Sequence, residues 1–259
     1  MPVSSAQPKG GIETMKGIQR PPARLIAELR RVSSATATGT LNRLGISDAF
    51  MQGPLARTPG AKVVGPAVTL QFLPKREDQM TGLGEGQTEK RSALWEVLEH
   101  VAPGDVIVVD ARGDLRTGCF GEMLLTYFQA QGGSGVVVDG CIRDYPQVRE
   151  FDLPLWTRGF TSNSAGQTNL WPWDFNVPIG CAGVLVLPGD IIVADDDGAV
   201  VVPVRLAPEV AKEATEHEEW EVFSRLRLQQ GGALSKYYPL SEEGRREYEE
   251  WRRTQDGSE

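Results

Sequence analysis

The sequence predicts an α/β fold, one compact domain of mixed strands and helices with an arm before it and a helical appendage after it. Three observations predict this. Residues 104–157 read strand, helix, strand, turn, strand, the order of a right-handed parallel crossover. The segments 61–73 and 180–203 are apolar, rich in Val and punctuated by Gly, Pro and Asp, as buried strands are. The length, 259 residues with 40% hydrophobic and 24% charged, is enough for one sizeable core of ordinary soluble composition.

The elements follow in order. Residues 1–20, rich in Gly, Ser, Pro and Lys, read as a mobile arm or a strap over a neighbouring subunit. Pro21-Pro22 opens a helix with Leu25, Ile26 and Leu29 on one face. A second helix spans Thr36 to Leu44 and stops at Gly45. Residues 61–73 form a strand with a Gly-Pro interruption, and Pro74 to Gly86 a polar loop or lid. Residues 88–99 carry Leu94, Val97 and Leu98 on a helix. Pro103-Gly104 turns into a strand from Val106 that ends at Asp110. A loop at 111–119 leads to a helix from Phe120 to Ala130, terminated by Gly132-Gly133. The strand Gly135 to Val138 then gives way to a loop, Asp139–Asp144. Pro146 to Glu150 is a helical turn and Leu155 to Thr157 a strand. Residues 160–175 read as irregular, with Trp171 and Trp173 in an extended loop. Cys181–Leu187, Ile191–Ala194 and Ala199–Pro203 are short strands. Pro208 to about Gln230 is a charged helix, and the acidic, aromatic last thirty residues are expected to pack at a subunit boundary. The domain reading is therefore 1–20 arm, 21–207 α/β domain, and 208–259 helix and tail.

Charge and composition narrow the function. The net charge is −8 and no basic face is evident, which argues against nucleic-acid binding. No stretch is long and apolar enough to span a bilayer and no signal-type h-region opens the chain, so the cytoplasm is the expected location. Cys119, Cys141 and Cys181, odd in number and irregularly spaced, suit neither a disulfide framework nor a zinc site and read as buried thiols. His100 and His217 stand alone, His100 capping a helix end. Asp195-Asp196-Asp197-Gly198 lacks the full calcium-loop pattern and reads as a tight Asx turn. P-loop, dinucleotide and nucleophile-elbow motifs do not occur.

Two segments carry chemistry. Gly121-Glu122-Met123-Leu124 starts a helix whose free N–H groups make an anion seat, with Glu122 beside it to orient or deprotonate a water. Arg143-Asp144 follows a strand. There the guanidinium could fork onto a substrate carboxylate or keto oxygen, and the carboxylate could hold a hard divalent cation that keeps most of its waters. Each has a structural counterpart: a helix-dipole carboxylate for Glu122, a turn salt bridge for Arg143-Asp144.

With these residues in view, the chain resembles the RraA-like superfamily. That superfamily holds the class II aldolases acting on 4-hydroxy-4-methyl-2-oxoglutarate and 4-carboxy-4-hydroxy-2-oxoadipate, and the RraA-type regulators of ribonuclease E. The resemblance runs from about Thr36 to Pro203 through GPAVTLQFLP at 65–74, GDVIVVD at 104–110, GEMLLTYFQAQGGSGVVVDGCIRD at 121–144, LPLWTRG at 153–159 and LPGDIIVADDDGAVVVP at 187–203. It implies a swivelling α/β/β/α sandwich with central mixed sheets, assembled as a homotrimer or a hexamer. The aldolases carry an acidic residue, twenty intervening residues, then Arg-Asp, and Glu122 to Arg143-Asp144 matches this. The resemblance implies that Asp144 anchors Mg²⁺ or Mn²⁺ and that Arg143 contacts a small 2-oxo acid and stabilises enolate charge. It further implies that Gly121, Glu122, Met123 and Leu124 hold the pyruvyl carboxylate. A glutamate from a neighbouring subunit's C-terminal helix would complete the metal's water shell, Glu219 ahead of Glu216 and Glu218. The implied activity is retro-aldol cleavage to pyruvate, with oxaloacetate decarboxylation alongside. Regulator-type members typically lack the aspartate that this chain keeps at 144. The alternatives are a non-catalytic protein-binding regulator, and a metal-dependent decarboxylase, dehydratase or hydrolase of another oxo or hydroxy acid.

Overall fold

The computed structural model describes residues 17–76 and 92–256. Its centre is a mixed sheet in the order β1-β5-β4-β3-β2-β9-β10, with β6 also pairing β2. The strands are β1 Leu55–Ala56, β2 Val63–Pro74, β3 Val106–Gly118, β4 Gly135–Ile142, β5 Leu155–Phe160, β6 Leu170–Phe175, β9 Ile191–Asp195 and β10 Gly198–Val202. A separate hairpin pairs β7 Ile179–Cys181 with β8 Val184–Val186. Strands β2 to β5 run parallel, and β2, β9 and β10 are antiparallel.

Alternation along these strands makes the layers. On β3, Ile107 and Val109 face one core with α3 (Ala93–Glu99) and α4 (Glu122–Ala130), while Val106 and Val108 face a second core. That second core is closed by Ile192, Ala194, Ala199, Val201 and the β7–β8 hairpin. On the far side Ile191, Val193, Val200 and Val202 meet α1 (Ala23–Leu29), α2 (Ser34–Arg43) and the start of α6 (Ala207–Gln229). The result is the α/β/β/α sandwich expected. Beyond it, α6 continues into α7 (Leu234–Tyr237) and α8 (Glu242–Asp256), which share a small aromatic core of Phe223, Tyr237 and Tyr248 with Trp220 and Trp251 packed against it.

Several boundaries differ from expectation. Gly65-Pro66 does not interrupt β2. Its residues Val63–Pro66 pair with β9 and Ala67–Gln71 with β3, so the dipeptide lies where the strand changes ladders. Pro66 is tolerated where a central strand passes between partners, and a Cβ on Gly65 would lie 2.1 Å from the Gly104 carbonyl oxygen. Strand β3 continues past Asp110 to Gly118, because Arg112 and Gly113 take positive φ (59° and 69°) and bulge the strand without ending it. Strand β4 likewise continues through Asp139 and Gly140 to Ile142, fully buried, where a loop was expected. Trp171 and Trp173 sit in β6, paired with β2, and not in a loop. Cys181–Leu187 is a hairpin arm and not one strand, because Ala182 and Gly183 turn the chain at φ 51° and 87°. Helix α2 starts two residues early, where the Ser33 hydroxyl accepts the Thr36 N–H. Most of the expected lid at 74–86, the start of the 88–99 helix and most of the N-terminal arm lie outside the described residues. The three cysteines are buried and free, and burial pushes the Cys119 and Cys181 thiols far up, as inert core thiols require.

Candidate functional site

The site is built where the start of α4 crosses the end of β4. The Cys119 N–H bonds to the Cys141 carbonyl and the Arg143 N–H to the Phe120 carbonyl, both at 2.9 Å, which pins 119–121 against 141–143. Asp144 then leaves the strand in the left-handed conformation (φ 58°, ψ 30°) and opens a short helix, α5 (Tyr145–Val148). This turn swings the Asp144 carboxylate back onto α4, where Oδ2 accepts the Glu122 N–H at 3.2 Å. Arg143 Nε lies 3.6 Å from the same oxygen, and both side chains are 41% exposed.

Gly121 explains why these groups converge. Its backbone is extended (φ −119°, ψ −179°), so the glycine is not needed for an unusual dihedral. It is needed for space: a Cβ there would lie 2.4 Å from Asp144 Oδ2 and 2.8 Å from Arg143 Nε. Gly118 has a similar part, since its Cβ would fall 2.4 Å from the Asn163 carbonyl oxygen and 3.1 Å from the Arg143 Cβ. The structure therefore brings Gly121, Glu122, Arg143 and Asp144 together, with one revision to the anion seat. The Glu122 N–H is taken by Asp144, which leaves the Met123 and Leu124 N–H groups as those without an intrahelical partner. The Glu122 side chain is half-buried in the first turn, Met123 is 68% exposed and Leu124 leans on the core.

Asp144 offers one exposed hard oxygen donor, and no group of three or more His, Cys, Asp or Glu able to hold a metal occurs among the described residues. A single carboxylate suits a cation such as Mg²⁺ that keeps several waters and needs few protein ligands. The C-terminal glutamates, expected to act from a neighbouring subunit, make these contacts within the chain. Glu219 lies 3.4 Å from Arg252, and Glu218 accepts the Ser33 N–H at 2.9 Å. Burial raises the Glu218 pKa, but the Ser33 N–H, the Thr36 and Ser33 hydroxyls and Lys62 outweigh it and hold the carboxyl below its usual range. Glu216 and Glu219 line one cavity with Glu28, Lys212 and Arg252.

Sequence reasoning missed a second polar row. Asp110, Asp139 and Arg158 stand side by side within β3, β4 and β5, Asp110 in register with Asp139 and Asp139 paired with Arg158. Arg158 Nε pairs with Asp139, Arg158 Nη2 donates to the Gln52 carbonyl at 2.9 Å, and Asp139 Oδ2 accepts the Ala182 N–H at 3.0 Å. Burial, helped by Asp139, raises the Asp110 pKa against the opposing Arg112 and Gly180 contacts. The row ties the β7–β8 hairpin to the sheet. Its signal was an aspartate directly after each of two Val-rich runs, Asp110 after 106–109 and Asp139 after 136–138.

A family model described as RraA-like, Aldolase/RraA, matches residues 34–201. The structure is similar to that of Streptomyces coelicolor RraAS2, described as an unusual member of the RNase ES inhibitor RraA protein family. The identity is 53%, the match covers 81% of this chain and 99% of that one, and the TM-score is 0.74. A 4-hydroxy-4-methyl-2-oxoglutarate aldolase from Thermus thermophilus is 34% identical over 115 residues, 44% of this chain and 69% of that protein. An aldolase-type relative from Halalkalibacterium halodurans is 36% identical over 142 residues, 55% of this chain, and the match spans only 60% of that relative's length. With its four-layer sandwich, its Gly121–Arg143–Asp144 junction and a family match over most of its length, the chain belongs to the RraA-like family.

Proposed function

We propose that the chain is a protein-binding regulator of the RraA type, restraining a ribonuclease of the RNase ES class by association. The supporting observation is the 53% identity to RraAS2 over 99% of that protein, against 34–36% over shorter matches to the aldolase-type relatives. Apolar side chains beside the junction fit a binding surface: Met123 and Tyr127 on α4 are 68% and 43% exposed, and Phe160, stacked on Tyr145 at 3.7 Å, is 40% exposed. The test is association with a purified ribonuclease of that class by surface plasmon resonance, with Mg²⁺ and with EDTA. Metal-independent binding that survives Asp144→Ala is expected. Absence of binding, together with metal-dependent release of pyruvate from a 2-oxo acid, would sink this reading.

A second reading is favoured by the Gly121–Arg143–Asp144 geometry: a lyase releasing pyruvate from a 4-hydroxy-2-oxo acid. Asp144 would hold Mg²⁺ or Mn²⁺, and a cation there supplies Lewis-acid polarisation of a 2-keto oxygen. The Met123 and Leu124 N–H groups and the Arg143 fork receive the substrate carboxylate and the developing oxyanion charge. Glu122 orients a water that takes the C4 hydroxyl proton and returns a proton to C3. Glu219 of a neighbouring copy is the proposed further carboxylate, in a trimer or hexamer. Pyruvate release from oxaloacetate and from 4-hydroxy-4-methyl-2-oxoglutarate, with metal and with EDTA, tests it. Release no faster than with metal alone would exclude it.

A further inference from the structure

Arg143 reaches the junction with its stem lying against two glycines. A Cβ on Gly121 would fall 3.1 Å from Arg143 Cγ and 2.8 Å from Nε, and one on Gly118 would fall 3.1 Å from Arg143 Cβ. The same point over Gly118 lies 3.3 Å from Thr161 Cγ2, so the Thr161 methyl group and the Arg143 stem meet above a residue with no side chain of its own. The ion-pair partner of the guanidinium among the described residues, Asp144, stands at 3.6 Å, too far for a hydrogen bond. The direction of Arg143 is therefore set by the walls around its stem and not by its head group.

Thr161, just past β5, fastens that wall. Its N–H donates to the Ile142 carbonyl at 3.0 Å, one residue before Arg143. Its hydroxyl donates to the Arg116 carbonyl at 3.3 Å and accepts the Asn163 N–H at 3.3 Å. Asn163 Nδ2 donates to the same Arg116 carbonyl at 3.0 Å, and Ser164 bridges to Gly118. The ends of β3 and β4 and the β5–β6 connection are thus tied together around one half-buried side chain. A β-branched residue suits this place: χ1 is stiff, so a hydroxyl fixed on Arg116 also fixes the methyl group. We propose that Thr161 is a positioning residue for Arg143, its hydroxyl locked to the end of β3 and its methyl group closing the wall that aims the guanidinium at an anion on the Met123 and Leu124 N–H groups. The inference rests on the reading in which the junction receives a 2-oxo acid.

Oxalate titrated into the full chain by calorimetry, with Mg²⁺ equal in cell and syringe, reads the aim of Arg143 whether or not the protein turns over. Thr161→Ser keeps the hydroxyl and opens the wall. It should weaken oxalate about fivefold, and should do nothing further in an Arg143→Ala background, because both changes act through one side chain. Thr161→Val restores the wall. It should bring the affinity to within about twofold of the unmodified chain while melting earlier, for want of the hydroxyl's hydrogen bonds. A purely structural threonine gives the opposite order, valine worse than serine in affinity as well as melting temperature, and effects that add to Arg143→Ala. That result overturns the proposal, as does oxalate binding that is absent from the unmodified chain or indifferent to Thr161→Ser. Should Arg143→Ala abolish measurable binding, the order of serine and valine decides alone. The lyase reading fails separately: coupling of Thr161 to Arg143 in oxalate binding, with no pyruvate release from oxaloacetate, keeps Arg143 aimed at an anion and removes only the reaction.

Discussion

Gly121 is the residue on which the candidate site depends. Any side chain there would meet Asp144 Oδ2 and Arg143 Nε. Gly121→Ala is therefore expected to displace both, at about 1–3 kcal/mol of overpacking, and to weaken binding of a 2-oxo anion such as oxalate in calorimetry. Unchanged oxalate affinity would show that the junction does not bind the anion. If the lyase reading holds, Arg143→Ala should lower kcat by about 10²–10³-fold, because it acts on transition-state charge, and Asp144→Ala should abolish the metal-dependent rate. A pure KM effect for Arg143→Ala would reduce that side chain to positioning. Asp110 makes a separate prediction. Its pKa is raised by burial, so its ionisation opposes folding, and that opposition grows as the pH rises from the ordinary aspartate range through the raised value. Asp110→Asn should then be neutral or stabilising at neutral pH and lose any advantage in acid, as denaturant titrations at several pH values would show.

Among the elements, α2 illustrates what capping residues do and what they require from afar. Ser33 caps locally, its hydroxyl accepting the Thr36 N–H. The Ser34 N–H and hydroxyl, however, are bound by Asp195 at 2.8 and 2.5 Å, and the Ser33 N–H by Glu218. Two carboxylates from distant elements thus sit at the positive end of this helix. Because the Glu218 pKa is lowered, its stabilisation is present above the ordinary glutamate range and is lost as the pH falls through the lower, folded-state value. Glu218→Gln should therefore flatten the acid limb of the stability profile and leave the lyase and binding assays alone. A wild-type acid limb in that variant would discard the assignment. Asp195→Ala, which removes both contacts to Ser34, is expected to cost about 1–3 kcal/mol in urea unfolding.

For the whole molecule, the sandwich and the C-terminal module have separate cores. Phe223, fully buried, anchors the module with Tyr237, Tyr248 and Trp251 around it. Phe223→Ala should cost about 3–5 kcal/mol, confined to the module. Calorimetry should then show an early transition ahead of the sandwich. A single shifted transition would mean that the two melt as one unit.

Much of this organisation was legible in the chain. The α/β class, a helix opening at Pro21-Pro22, a second ending before Gly45, the strand starting at Val106 and the helix entering at Gly121 follow from local pattern: apolar periodicity, proline at helix starts, glycine at their ends. The convergence of Glu122 with Arg143-Asp144 was legible too, because a short strand–helix–strand unit leaves few ways to place its ends. Local pattern did not determine where β3 and β4 end. Asp110 and Asp139 look like strand terminators, yet both lie inside the sheet, Asp110 bound by the Arg112 N–H and Asp139 by the Ala182 N–H and by Arg158 from elsewhere in the chain. It also did not determine the partner of Glu218 or the reason for glycine at 121. Each of these rests on contact between residues far apart in sequence, and the distance between a missing Cβ and a carboxylate twenty-three positions away exists only once the chain has folded.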